Sequence, residues 1–195
     1  MKKSLYSLQD GIKASLKDLN DIEVIEPYWL TELVSHAIRP EIGAVGARLY
    51  YSDDTVQHDG VIVGMGGVAG YANPGLKRTE IGCFGGSRLI RNYSAVTAAA
   101  LAVRKRVFME VKGLDEKNLK VAFNDVDFCL RIEELGLRNL YTPYCELYHH
   151  ESLSRGADIG SEKVARFQKE VRYMQKKWSA KIDKDPFYNV NLSFF

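Results

Sequence analysis

Cysteine is scarce in this chain, and its three thiols (Cys83, Cys129 and Cys145) are odd in number and widely spaced. That excludes a disulfide framework and a paired-cysteine zinc site, and it fits reduced thiols. Long apolar runs are absent as well: none approaches the roughly 18 residues that a membrane-spanning helix needs. Met1-Lys2-Lys3 leads into a stretch broken by Ser, Gln, Asp and Lys, so there is no signal-peptide core. Neither sign of charge dominates, since 27 Lys and Arg stand against 25 Asp and Glu for a net charge of +2. The densest basic group, Arg104-Lys105-Arg106, is a short solvated turn, which gives no footprint for nucleic acid. Internal repeats are missing too. What remains is 195 residues, 46% of them apolar, which fits one soluble, cytoplasmic globular domain.

The order of elements reads as mixed α/β. Leu5, Leu8, Ile12, Leu16 and Leu19 recur at spacings of three and four, which predicts a helix in the first twenty residues. A second helix is expected from Pro27, with Trp29, Leu30, Leu33, Val34 and Ile38 on its apolar face and Arg39-Pro40 at its end. Residues 42–51 and 55–63 are rich in β-branched and small side chains around a Ser52-Asp53-Asp54 turn, the pattern of a hairpin. Residues 64–92 hold eight of the sixteen glycines and show no period, so they read as a long functional or mobile loop. A buried strand over 93–103, a short helix over 107–113, a helix from 124 to 136 with Asn124 as its N-cap, and a strand over 137–148 follow. A helix over 161–180 closes the series, with Val164, Phe167, Val171, Met174 and Trp178 as its apolar stripe.

Two clusters carry chemistry. In Phe123-Asn124-Asp125-Val126-Asp127-Phe128-Cys129-Leu130-Arg131, two acids open a helix whose dipole favours the ionised carboxylate. Two residues apart, they leave different sides of the helix. One can serve as a general base while the other pairs with a cation such as Arg131, four residues on. In Tyr148-His149-His150-Glu151-Ser152, alternation at a strand end turns one imidazole toward a pocket. The pair lacks the helical spacing of a zinc protease, which argues against a zinc hydrolase built on it. A hard divalent cation held by carboxylate and imidazole stays open, with Asn20-Asp21-Ile22-Glu23 as the best-placed source of the acid.

In these residues the chain resembles bacterial family-2 glycosyltransferases of the GT-A fold, of the rhamnosyltransferase-like kind. The likeness runs from Asn20-Asp21-Ile22-Glu23-Val24-Ile25 through Gly43-Ala44-Val45-Gly46-Ala47-Arg48-Leu49 and His58-Asp59-Gly60. It continues through Tyr93-Ser94-Ala95-Val96-Thr97-Ala98-Ala99, Gly113-Leu114-Asp115-Glu116 and the Asn-Asp-Val-Asp run, and on through Tyr148-His149-His150 and Ser154-Arg155-Gly156 to Asp185-Pro186-Phe187. The resemblance implies an α/β, partial GT-A fold with a mixed sheet flanked by helices. It implies a metal-dependent, inverting transfer of a sugar from a nucleotide-diphosphate donor to a glycan or lipid-linked acceptor. Asp125 then matches the base that deprotonates the acceptor. Asp21 and His149 match ligands of Mn²⁺ or Mg²⁺, with His150 as the less favoured neighbour. Thr97, Asn124, Asp127 and Arg155 fall where donor and acceptor are held.

The departures are equally specific. Most of the family's nucleotide-binding βαβ half has no counterpart, and Leu16-Lys17-Asp18-Leu19 is too short and too charged for a central strand. The expected domain is thus a single truncated one over 1–195, with a remnant helix over 1–19 and a C-terminal helix and tail over 160–195. The segment bearing Asp21 should lack partners on one side, and the sheet should carry an open apolar edge. A complementing N-terminal half or an oligomer would cover it, and the chain alone is expected to be a fragment with weak or no activity. The implied position is cytoplasmic, peripheral at the inner membrane face. The rival expectation is a non-catalytic binding module that associates with a partner protein or glycan.

Overall fold

The computed structural model describes residues 21–150 and 160–192, together with the backbone of residues 4–8 and 12–16. Among these, eight strands share one mixed sheet whose central path runs β1-β2-β9-β4-β10-β3. Its strands are β1 (Ser4–Leu8), β2 (Ile12–Leu16), β3 (Ile22–Val24), β4 (Ile42–Tyr50), β5 (Val56–His58), β8 (Arg91–Tyr93), β9 (Ala100–Arg104) and β10 (Arg138–His149). β6 (Val61–Val63) and β7 (Ala69–Tyr71) form a separate small ribbon.

The centre is the parallel pair β4 and β10, which runs from Arg138 opposite Ile42 to Tyr148 opposite Tyr50 with register shifts between Arg138 and Leu140 and between Tyr141 and Glu146. β4 is buried along its whole length, as its near-continuous run of apolar and small residues requires of a strand covered on both faces. One face packs on α1 (Trp29–Ala37): Leu33 and Ala37 meet Val45, Ala47, Leu49, Cys145 and Leu147. The other face carries Ala44, Val96, Phe128, Ile132, Tyr141, Met174 and Trp178. These come largely from α3 (Asn124–Glu134) and α4 (Ser161–Asp183); the short α2 (Lys105–Glu110) adds Val107.

Two glycines set the geometry near the site. At Gly46 a Cβ would stand 2.5 Å from Val96 Cβ, so the segment leading to Thr97 lies directly on β4. Gly60, at φ +121°, turns the chain from β5 into β6 against the Tyr93 ring. Gly46→Ala is expected to overpack this contact and lower stability by about 1–3 kcal/mol, read from the midpoint of urea unfolding. An unchanged midpoint would mean that Val96 is not held against the strand.

Several expectations are corrected. The first twenty residues hold two antiparallel strands instead of a remnant helix, with Leu8 opposite Ile12 and Ser4 opposite Leu16. β2 in turn pairs with β9 from Ile12 opposite Arg104 to Leu16 opposite Ala100. The spacing that suggested a helix also contains the period-two set Ile12, Ala14, Leu16, and so short a segment gains more from a sheet edge than from an isolated helix. β9 is therefore covered by β2, and among the described residues the open edge expected beside the Asp21 segment falls at β3. At the other end β3 has β10 as its one partner in the strand order.

The hairpin expected over 42–63 is real only between β4 and β5, with Leu49 opposite His58; Val61–Val63 leaves to pair with β7. The glycine-rich 64–92 segment is built from 3-10 turns and short strands. The strand expected over 93–103 is interrupted, because Ser94 to Ala99 leave the ladder between β8 and β9. Asn124 is the first residue of α3. The cap is Phe123, held at φ 59° in the left-handed region.

Candidate active site

The interruption between β8 and β9 makes the first half of the site. Asp125, half-buried in the first turn of α3, accepts hydrogen bonds at Oδ2 from the Thr97 hydroxyl (3.2 Å) and the Ala98 N–H (3.1 Å). Its Oδ1 accepts from the Val126 N–H at 2.9 Å. A carboxylate held by donors from two elements keeps one orientation, and half-burial leaves it reachable by a ligand. Behind it, the Thr97 N–H donates to His58 Nε2 at 3.2 Å, while His58 Nδ1 donates to the Ala47 carbonyl at 2.9 Å. These two bonds fix the neutral tautomer. Burial pushes the His58 imidazole below its ordinary range, against the opposing pull of the Ala47 bond and the charges of Asp59 and Asp125.

The second half lies where β10 ends. Gln57, next to His58 on β5, reads both ends of His149: its Nε2 donates to the His149 carbonyl (3.3 Å), and its Oε1 accepts from His149 Nδ1 (2.7 Å). That arrangement carries the ring's lone pair on Nε2, the usual second contact of a metal-ligating histidine. β3 sets Ile22 opposite His149, and the His150 N–H donates to the Asp21 carbonyl at 2.8 Å. Asp21 precedes β3 in a turn and so is not bound to its pleat. His150 faces away to the surface, with Nδ1 against Ser52 Oγ at 2.7 Å and Nε2 against Glu23 Oε2 at 3.0 Å.

Three consecutive links thus join the halves: Asp125 to Thr97, Thr97 to His58, and Gln57 to His149. The three-residue β5 ties the candidate base to the candidate metal ligand. Sequence reading singled out His58-Asp59-Gly60 as part of the resemblance but gave Gln57 and His58 no role. Their signal is a polar pair, Gln57-His58, in a strand that is buried at every position.

Asp127 is turned into the fold. It is fully buried, and its carboxylate accepts from Arg131 Nε (2.8 Å), Lys177 Nζ (2.7 Å) and Trp178 Nε1 (2.8 Å). Its carboxylate holds α3 to α4, and the Arg131 pairing anticipated for it is present. Asn124 is also buried, with Nδ2 donating to the Leu119 carbonyl at 3.4 Å. From α4, Glu170 takes the N–H groups of Lys120, Val121 and Ala122 at 2.9–3.2 Å, anchoring the loop that delivers Asp125. Asp185 is a lock of the same kind, accepting from Val63 N–H, Ser94 Oγ and Phe187 N–H. Arg155 lies outside the described residues.

A divalent cation finds two candidate ligands here, Asp21 and His149. Among the described residues no group of three or more His, Cys, Asp or Glu could hold a metal. The pair fits a hard cation only when ligand oxygens complete the shell, the common arrangement for Mg²⁺ on a diphosphate.

The architecture is α/β, with a mixed sheet flanked by helices, consistent with a partial GT-A (nucleotide-diphospho-sugar transferase) fold. No protein-family model matches the chain. It is 46% identical over 140 residues to the O-antigen biosynthesis protein RfbC of Myxococcus xanthus, covering 71% of this chain and 11% of that protein. It is 49% identical over 174 residues to the uncharacterized protein y4gI of Sinorhizobium fredii (strain NBRC 101917 / NGR234), covering 89% of this chain and 19% of that one. The chain therefore spans 19% and 11% of the lengths of these two relatives. The similarity relates it to a segment of a protein of O-antigen biosynthesis.

Proposed function

We propose that the chain carries the acceptor-side chemistry of a metal-dependent, inverting glycosyltransferase, which moves a sugar from a nucleotide-diphosphate donor to a glycan or lipid-linked acceptor. The carrying observation is the continuous tie from Asp125 through Thr97, His58 and Gln57 to His149. It holds a carboxylate base and a basic imidazole nitrogen in one rigid frame beside the end of a parallel strand, the usual place for a ligand in an α/β sheet. Similarity to a stretch of an O-antigen biosynthesis protein supports the same substrate class.

In this reading Asp125 receives the proton of an acceptor hydroxyl as its oxygen attacks the anomeric carbon. The bond from that carbon to the diphosphate oxygen breaks, and its electron pair leaves with the nucleoside diphosphate. Thr97 and the Ala98 N–H keep the carboxylate aimed during the transfer. Asp21 and His149 would hold Mn²⁺ or Mg²⁺, which when bound neutralises charge on the diphosphate. Arg155 is assigned to the donor or acceptor wall through the family resemblance alone.

Incubation of the purified chain with Mn²⁺, a glycan or lipid-linked acceptor and a panel of UDP- and dTDP-sugars tests this reading. Release of nucleoside diphosphate that is lost on chelation and in Asp21→Ala is the expected outcome. Absence of release, together with no nucleotide-dependent change in stability at any metal concentration, would overturn it. A second reading is a non-catalytic binding module. It predicts that Asp125→Asn alters nothing while light scattering shows association with a partner protein or glycan.

A further inference from the structure

The segment before β8 places four apolar side chains in water. Phe84 is 93% exposed, Ile81 60%, Leu89 55% and Ile90 41%. Phe84 also sits at φ 51° and ψ 31°, a left-handed conformation that disfavours a side chain of this size. The chain thus bears an unfavourable backbone conformation and an unburied ring at one position. The base of the segment is nevertheless fixed. The Ser87 carbonyl accepts from Tyr141 Oη at 2.8 Å, the Ser87 N–H donates to the Ile81 carbonyl at 3.1 Å, and Arg88 donates to the Arg78 carbonyl. A rigid turn therefore presents an apolar tip, and a tip held outward is not explained by local packing.

Charge points to what covers it. Lys77 and Arg88 are exposed beside the tip and Arg91 is partly exposed, while Arg78 is held by Glu146 Oε2 at 2.8 Å and Asp54 Oδ1 at 3.5 Å. Within 77–91 the one acid is Glu80, whose Oε2 already accepts from the Lys77 N–H at 2.9 Å. An aromatic and aliphatic tip flanked by Lys77, Arg88 and Arg91 matches the anionic interface of a bilayer, where rings enter the headgroup region and basic side chains meet lipid phosphates. A second copy of this chain would bring the same positive charge against itself. The tip also lies on the site's side of the sheet. β8 runs antiparallel to β10 with Arg91 opposite Tyr141, so the chain before Arg91 extends toward the end of β10 that carries His149.

We infer that the turn over 81–90 is a membrane-docking element, seating Phe84, Ile81, Leu89 and Ile90 in an anionic lipid surface and turning the candidate site toward it. This rests on the exposed turn and its charge, and stands whether or not the chain transfers sugar. Co-sedimentation with vesicles of phosphatidylglycerol and phosphatidylethanolamine, against vesicles of phosphatidylcholine alone, reads it directly. Binding about tenfold or more stronger to the anionic vesicles, weakened by salt, is expected. Phe84→Asn, which tolerates the left-handed conformation, should abolish the binding while the Tm stays level or rises. No binding to anionic vesicles, or equal binding by Phe84→Asn, would overturn the inference. So would self-association in solution that the same substitution removes, since a second copy would then be the occupant.

Discussion

Asp125→Asn is expected to lower the rate of sugar transfer by about two to four orders of magnitude, with nucleotide binding and Tm close to wild type. The amide is the same size, so its oxygen can still accept from Thr97 and Ala98, which meet the carboxylate at 3.2 and 3.1 Å, while its NH2 leaves the Val126 N–H without the acceptor now at 2.9 Å, a cost of about 1 kcal/mol. What it loses is the capacity to take the acceptor's proton. The expected signature is a fall in kcat without a matching change in KM for the donor. Steady-state rates across a donor series check it, and a variant as active as wild type would remove Asp125 from the chemistry.

Asp127, two residues away, should behave in the opposite way. Asp127→Ala is expected to cost about 3–5 kcal/mol of stability, because it strips a fully buried carboxylate from Arg131, Lys177 and Trp178 and leaves their donors without an acceptor. The loss falls on the junction of α3 with α4 and would loosen the helix that presents Asp125. Urea unfolding followed by circular dichroism measures it. A shift under about 1 kcal/mol would show that the three donors find water or other acceptors readily.

The contrast between the two acids bears on what a sequence can reveal. Helical spacing identified the Asp127–Arg131 pair, and the helix-start position of both acids was legible. Which acid faces a ligand was not, because that depends on Lys177 and Trp178, fifty residues downstream. Long periodic elements were legible for the same local reason: β10 ends at His149 and α4 starts at Ser161, close to where pattern and turn residues put them. On α4, however, Val164 and Phe167 are largely exposed while Met174 and Trp178 are buried, so the apolar stripe overstated the core.

The remaining misreadings share a cause. Residues 12–16 pair with the edge of β9, a partner nearly ninety residues away, and residues 4–8 pair with them in turn. Ser94 to Ala99 leave the ladder because Gly46 admits Val96 and because Thr97 and Ala98 bond Asp125 and His58. Neither interaction leaves a periodic trace. Gln57 and His58 were hidden in the same way, since their partners, His149 and Thr97, are distant in the chain.

That pair carries the central claim, that β5 holds a base and a metal ligand in one frame. Calorimetric titration of a nucleoside diphosphate into the protein, with Mn²⁺ and with chelator, tests it most directly when repeated on Gln57→Leu. The substitution removes the acceptor that orients His149 Nδ1 at 2.7 Å. Metal-dependent binding tighter than millimolar, weakened about 10–100-fold in Gln57→Leu, is the predicted result. Nucleotide affinity indifferent to Mn²⁺, or unaltered in Gln57→Leu, would contradict it.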